Sequence, residues 1–172
     1  MRTTRLNCLA AFLLVLATTP LAAQAGSAVA VAPVPEQIAS AKKVFISNAG
    51  LDGMSLAAFR KLGDRNEPYN LFYGAMKAWG RYELTNSPAD AELVYELRFT
   101  APLVGVDPEV VEAQFGLVIL DAKTHFILWA LNEPVGGAFR KGTFVKNVNT
   151  GIATLMTDVK QLASPPATAS AK

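Results

Sequence analysis

Residues 92–100 read Glu-Leu-Val-Tyr-Glu-Leu-Arg-Phe-Thr, which is the clearest strand pattern in the chain. Large apolar or aromatic side chains occupy every second position from Leu93 to Phe99, and mostly polar side chains occupy the positions between them. Because successive side chains of a β-strand point to opposite faces of the sheet, this alternation predicts a strand with one buried and one exposed face.

The sequence after this strand predicts a hairpin. Residues 113–120 and 125–132 are both rich in β-branched, aromatic and leucine residues, as strands usually are. The connection Asp121-Ala-Lys-Thr124 has the length of a hairpin turn, and the Asp121 carboxylate can accept hydrogen bonds within it. We therefore expect these two strands to pair with each other.

Two long helices are predicted on either side of these strands. Apolar residues recur at helical spacing over 68–79, with Gly80 as a natural stop, and again over 143–163. Short strands are expected over 42–48 and 81–85, before and after the first long helix. A helix between two consecutive strands indicates a right-handed crossover and parallel pairing of those strands.

These elements predict an α/β (α+β) fold. The simplest arrangement is a two-layer sandwich, in which two main helices cover one face of a mixed, mostly antiparallel sheet of four to five strands. Residues 117–120 and 126–131 are apolar on both faces, which is typical of strands that are buried on both sides. The second face is then covered by the segment after the leader, by the 51–66 connection, or by another molecule.

The start of the chain has the three parts of a secretory signal. Arginines precede an apolar run of about 11 residues, shorter than the roughly 20 of a spanning helix, and Ala23-Gln-Ala25 supplies the small residues of a cleavage site. We expect a cleavable signal peptide over 1–25, a linker over 26–34, one α/β domain over 35–163 and a disordered tail over 164–172. The protein is then periplasmic or secreted, with no membrane span after cleavage.

Composition excludes several classes of function. Cys8 precedes the apolar run and leaves with the signal peptide, so the mature chain lacks the thiols that disulfides, thiol nucleophiles and zinc–thiolate sites need. After residue 25 the chain carries 14 of its 16 Lys or Arg and all 14 Asp or Glu, which gives no net charge with His125 neutral. A neutral domain is a poor nucleic-acid binder, because such binding depends on many cationic contacts with phosphates.

Several short motifs carry a resemblance to known envelope domains. They are Ser47-Asn-Ala-Gly50, Trp79-Gly-Arg-Tyr-Glu-Leu84, Pro88-Ala-Asp-Ala-Glu-Leu-Val94, Leu117-Val-Ile-Leu-Asp-Ala-Lys-Thr124 and Leu128-Trp129. Over residues 40–163 the chain resembles small exported bacterial domains of unknown function. It is more distantly similar to the curli-secretion-lipoprotein and TolB amino-terminal domains. The resemblance implies a non-catalytic envelope module, although this chain lacks the lipidated cysteine of the lipoproteins.

The sequence contains no recognisable catalytic arrangement. His125 is the only histidine, and no Gly-x-Ser-x-Gly elbow or comparable element accompanies it. Glu92 and Glu96 lie four residues apart on a strand, roughly 13 Å from each other, which is too far for a glycosidase pair. We expect no enzymatic activity. The alternatives are a small hydrolase that uses a loop carboxylate with His125, or a carrier with an apolar pocket between sheet and helices.

No cofactor or metal site is expected either. Asp107, Glu109 and Glu112 are the nearest approach to a calcium loop, but they lack its alternating spacing and its glycine. Gly136-Gly137 near Arg140 matches neither the P-loop nor the dinucleotide fingerprint. We interpret the acidic group as a solvated loop and the glycine pair as a hinge.

The remaining hypothesis is a partner-binding surface built from two loops. The connections over 51–66 and 134–142 are irregular, and loops on a regular scaffold often carry function. Exposed apolar and cationic side chains cluster there, and the predicted contact residues are Leu56, Phe59, Arg60, Arg65, Phe139 and Arg140. The expected partner is another envelope protein or a second copy of this chain in a homodimer.

Overall fold

The computed structural model of the chain describes residues 32–51, 53–104 and 110–164. The helices in these ranges are α1 (Glu36–Ser40), α2 (Leu56–Leu62), α3 (Glu67–Trp79) and α4 (Lys141–Leu162), with a 3-10 turn at Pro88–Asp90. The strands are β1 (Lys43–Asn48), β2 (Glu83–Thr85), β3 (Leu93–Thr100), β4 (Leu103–Val104), β5 (Val110–Val111), β6 (Ala113–Asp121) and β7 (Ile127–Val135). The predicted signal peptide, most of the linker and nearly all of the tail lie outside the described residues.

Five strands form one mixed sheet in the order β2-β1-β3-β6-β7. β1 pairs in parallel with both β2 and β3, so the helix-linked strands β1 and β2 are parallel as predicted. The longer pairings, β3 with β6 and β6 with β7, are antiparallel. The predicted fold class is therefore confirmed, with the alternating stretch over 92–100 as the central strand.

The core lies between this sheet and the helices. Leu93, Tyr95, Leu97 and Phe99 of β3 are buried, as their alternation predicts, and the buried residues of α3 and α4 belong to the same hydrophobic cluster. The largest fully buried side chains fill the space between the layers, and include Phe72, Tyr95, Phe99, Phe115 and Phe144.

The first long helix begins and ends close to where its sequence indicates, whereas α4 begins at Lys141, two residues before the predicted start at 143. α3 has Pro68 in its first turn, where a missing N–H costs nothing, and ends at Gly80, whose φ of 67° is left-handed. The predicted turn between β6 and β7 is also present, because the Asp121 carboxylate accepts hydrogen bonds from the backbone N–H groups of Lys123 and Thr124 at 2.9 and 2.7 Å.

The prediction that residues 51–66 form an irregular connection is wrong. This segment contains α2, which begins where the Ser55 hydroxyl accepts a hydrogen bond from the Ala58 N–H at 3.2 Å. The helix ends at Gly63, with a φ of 86°. Ala58 and Leu62 are buried in the core, so α2 is part of the folded domain and presents only its other side to solvent.

The predicted 134–142 loop is shorter than expected. β7 continues through Pro134 to Val135, and α4 begins at Lys141, so the irregular segment covers only 136–140. Pro134 is tolerated because β7 is an edge strand, where one side of the backbone needs no ladder partner. The short strands β4 and β5, on either side of 105–109, pair in antiparallel orientation.

The second face of the sheet is half exposed. The pairings align Phe45, Val94 and Leu120 across three strands on the face opposite the core, and all three side chains are partly buried. α2 packs against α4 on the helix side, so the 51–66 segment does not cover this face. Most of the 26–34 segment, which was expected as an alternative cover, lies outside the described residues.

Candidate functional site

The two segments predicted to bind a partner lie next to each other in the fold. The Lys61 ammonium of α2 donates a hydrogen bond to the Ala138 carbonyl of the 136–140 segment. The same ammonium lies 5.6 Å from the centre of the Phe144 ring in α4. The structure therefore joins the end of α2 to the segment that holds Phe139 and Arg140.

Apolar side chains on this surface are unusually exposed. Phe139 is 89% exposed and Leu56 is 63% exposed. Phe59 is partly buried, and the Arg65 guanidinium lies over its ring at 5.1 Å. Leu56, Phe59 and Arg65 also line a shallow groove of about 340 Å³, together with Leu51, Gly53 and Met54.

Cationic side chains surround these apolar ones. Residues 56–65 and 136–141 contain five Lys or Arg and one carboxylate, Asp64, which accepts a hydrogen bond from the Asn66 N–H at 2.9 Å. We define the basic–apolar surface by eight residues of these two segments: Leu56, Phe59, Arg60, Lys61, Arg65, Phe139, Arg140 and Lys141. The sequence analysis missed Lys61 and Lys141, although each is adjacent to an arginine that it named.

The charge on this surface contrasts with the rest of the domain. After residue 25, the two segments take five of the 14 basic residues and one of the 14 acidic ones, which leaves nine basic and 13 acidic residues elsewhere. The side chains of Arg60, Arg140 and Lys141 are exposed and form no hydrogen bond or ion pair with the described residues. A net neutral domain thus has one cationic surface.

His125 lies in the turn between β6 and β7, far from any catalytic arrangement. It is exposed, its φ of 58° is left-handed, and its backbone N–H donates to the Asp121 carbonyl at 2.9 Å. Its imidazole makes no hydrogen bond or ion pair with a carboxylate of the described residues. Hydrogen bonds from Thr124 hold the pKa of Asp121 below its ordinary value, so that carboxylate is a turn acceptor.

Glu92 has a structural role that the sequence analysis did not identify. Its carboxylate accepts hydrogen bonds from the backbone N–H groups of Lys42 and Lys43, at the start of β1. These bonds, that of Lys42 first, hold the pKa of Glu92 below its ordinary value because they favour the ionised carboxylate. Glu92 therefore joins the start of β1 to the start of β3.

Glu133 of β7 is a second carboxylate in an unusual setting. Partial burial, and then the negative charge of Asp158 on α4, raise the pKa of Glu133 above its ordinary value. The Thr154 hydroxyl donates a hydrogen bond that opposes this rise.

A metal centre and a ligand pocket are two further kinds of site that the fold could hold. Within 32–51, 53–104 and 110–164, no three His, Cys, Asp or Glu side chains lie close enough to hold a metal ion. Glu112 is exposed, whereas Asp107 and Glu109 lie outside the described residues. A groove of about 630 Å³ opens at the sheet edge beside Tyr69, Tyr73 and Asp90, and its lining is mainly polar. An apolar carrier pocket between sheet and helices is not favoured, because large side chains fill that space.

In the part of the chain that the structure describes, no helix combines the length and the apolar character that a bilayer crossing requires.

Comparisons with known proteins find likeness in structure alone. No family model matches the chain, and no curated protein matches it by sequence. A PelC dodecamer structure from Paraburkholderia phytofirmans has 12% identity and a TM-score of 0.47, with 69% of this chain and 87% of that chain covered. Lipoprotein GNA1162 from Neisseria meningitidis has 11% identity and a TM-score of 0.37, with coverage of 67% and 99%. A minor lipoprotein from Acinetobacter baumannii has 12% identity and a TM-score of 0.33, with coverage of 71% and 92%.

These likenesses assign neither a family nor an activity, because identity is near one tenth and the TM-scores are below 0.5. Two of the three similar proteins are described as lipoproteins, and none of the three is described as an enzyme. The curli-secretion and TolB likeness stays a prediction.

Proposed function

We propose that this protein is an exported interaction module without a catalytic step, and that it binds an acidic partner in the cell envelope through the basic–apolar surface. The observation that carries the proposal is the meeting of α2 with the 136–140 segment, where Phe139 is 89% exposed and cations surround it. Exposed apolar patches bordered by polar side chains are typical of interaction sites. The signal-peptide pattern over 1–25 supports export.

The partner is expected to be acidic for a simple electrostatic reason. The side chains of Arg60, Arg140 and Lys141 form no ion pair with the described residues, so an opposite charge from another molecule would pair with them without breaking an existing ion pair. Complementary charge raises the rate of encounter and excludes cationic partners. The arrangement around His125 does not favour a hydrolase, because its imidazole forms no hydrogen bond or ion pair with a carboxylate in the described ranges.

Site-specific crosslinking in the exporting cell tests this function. Removing residues 51–66 would be uninformative, since Ala58 and Leu62 of α2 are part of the core. We would instead replace Phe139 by a photoreactive phenylalanine, with the same replacement at Phe126 as the matched control. Phe126 is 73% exposed and lies beyond the other end of β7.

Discrete adducts at position 139, absent at position 126 and lost when Arg60 and Arg140 are both changed to glutamate, are the expected result. Equal adducts at the two positions, or none at 139, would contradict the proposed function. Processing after residue 25 is checked separately by the mass of the exported protein.

A further inference from the structure

We infer that the acidic partner of the basic–apolar surface is the anionic headgroup layer of a phospholipid bilayer, on which the domain lies without crossing it. This inference rests on the proposed function, because it names the partner of the same surface. It commits to a lipid surface. An acidic protein is the competing occupant that the experiment below detects.

The exposed cationic side chains of the basic–apolar surface suit a layer of phosphate groups. Arg60, Arg65, Arg140 and Lys141 are all exposed, and none of their side chains forms an ion pair with a carboxylate in the part of the chain that the structure describes. Phosphate groups in a headgroup layer are dense and mobile, so they can pair with cationic side chains whatever the spacing between those side chains. Each Lys or Arg near an anionic bilayer strengthens binding about fivefold at physiological salt.

The second argument is the position of the apolar side chains among those cations. Phe139 and Leu56 extend from segments that also carry arginines, at Arg140 and Arg60. Apolar tips surrounded by Lys and Arg are typical of segments that lie at a bilayer interface, where the rings enter the acyl boundary and the cations stay with phosphate. The long aliphatic stems of Arg and Lys allow both contacts at once.

The third argument is the groove beside α2. Four of its lining residues have apolar side chains, Leu51, Met54, Leu56 and Phe59, and the Arg65 guanidinium lies at its side. A phospholipid supplies an apolar acyl chain and an anionic phosphate, which match these two kinds of side chain. An acidic protein side chain would match only the guanidinium and leave the four apolar side chains in contact with water. The combination therefore favours lipid over an acidic peptide.

Vesicle flotation tests the inference with the purified protein in the form that the cell processes. The probes are vesicles of phosphatidylcholine alone and vesicles in which about a third of the lipid is phosphatidylglycerol. We expect binding only to the second kind, and a loss of that binding as ionic strength rises from about 0.05 M to about 0.5 M. Equal binding to both kinds of vesicle, or binding to neither, would overturn the inference.

Matched variants locate the contact. Arg60→Glu with Arg140→Glu should lower partition onto anionic vesicles about a hundredfold or more, whereas Lys77→Glu with Lys123→Glu, the same change in net charge at other exposed sites, should lower it much less. Phe139→Ser should lower it about tenfold, and Phe126→Ser should leave it nearly unchanged. Equal losses in the test and control variants would overturn the assigned contact. Thermal unfolding of each variant confirms that it is folded.

Crosslinking and flotation together separate the two proposals. Adducts at position 139 with no vesicle binding would leave the proposed function intact and overturn the lipid assignment, since the partner would then be a protein. Loss of both signals would overturn both. Adducts of lipid mass at position 139, together with salt-sensitive vesicle binding, support both.

Discussion

At the scale of single residues, Glu92 shows how one carboxylate organises the start of two strands. It precedes β3 and accepts two backbone N–H groups from Lys42 and Lys43, one of them at 3.0 Å. β1 and β3 are neighbours in the sheet, so this carboxylate completes their pairing at the end where the ladder begins. A hydropathy pattern shows only that Glu92 lies on the polar side of the strand. It does not show whether the carboxylate is hydrogen-bonded or simply exposed to water.

Glu92→Gln should destabilise the fold at neutral pH and have little effect in acid. The pKa of Glu92 is depressed in the folded state, so its stabilising contribution is full above its ordinary pKa and is lost as pH falls through the folded value. The difference in Tm between the parent and the variant is therefore expected to shrink between about pH 7 and about pH 3. Circular dichroism melts measure it.

Glu112→Gln is the control, because that exposed side chain has no hydrogen-bond partner among the described residues. A difference in Tm for Glu92→Gln that stays constant across the same pH range would show that its ionisation does not matter for stability.

At the scale of elements, the contact of α4 with the sheet depends on one small residue. Gly151 is buried in α4, and a Cβ atom there would lie 3.0 Å from Val135 Cγ2 and 3.2 Å from Phe115 Cε2. A helix interior normally disfavours glycine by about 1 kcal/mol relative to alanine. The close approach of the helix to β6 and β7 explains why glycine is found there.

Gly151→Ala and Gly74→Ala are therefore expected to change stability in opposite directions. At Gly74 of α3 no atom lies within 4 Å of the added methyl group, so the variant gains helix propensity and stabilises by about 0.5–1 kcal/mol. At Gly151 overpacking exceeds that gain, and the variant should lose about 1 kcal/mol. Urea unfolding measures both, and a stabilised Gly151→Ala protein would contradict the packing argument.

At the scale of the whole molecule, the described residues from Pro33 onward form one compact unit. Trp79 of α3 and Trp129 of β7 lie on different elements, and both pack against the same core. The uneven distribution of charge is also a property of the whole molecule. After residue 25 the net charge is zero, but the two segments of the basic–apolar surface are cationic and the other residues are acidic in sum. Such an asymmetry orients a protein toward an anionic surface.

A domain with one shared core should unfold in one transition. Trp129→Phe leaves Trp79 as the reporter, and Trp79→Phe leaves Trp129. Within each variant, the urea midpoint from tryptophan fluorescence is expected to coincide with the midpoint from far-ultraviolet circular dichroism. Separated midpoints in either variant would show that α3 or β7 unfolds independently of the sheet.

Much of the fold could be predicted from the sequence because its signals are local. The alternation from Leu93 to Phe99, the helical spacing over 68–79 and the Asp121 turn each lie within a dozen residues, and each formed as expected. α2 was missed because seven residues are too few for a clear apolar stripe, and only Ser55 and Gly63 indicate its ends.

The candidate site was predictable only as a set of residue types. The sequence by itself shows that aromatic and cationic residues occur together in two segments, because composition is a property of the local chain. The tertiary structure alone decided that Lys61 meets Ala138, 77 positions away. Packing of α2 and α4 against a shared core brings those segments together, and no local pattern encodes a contact between residues so far apart in the chain.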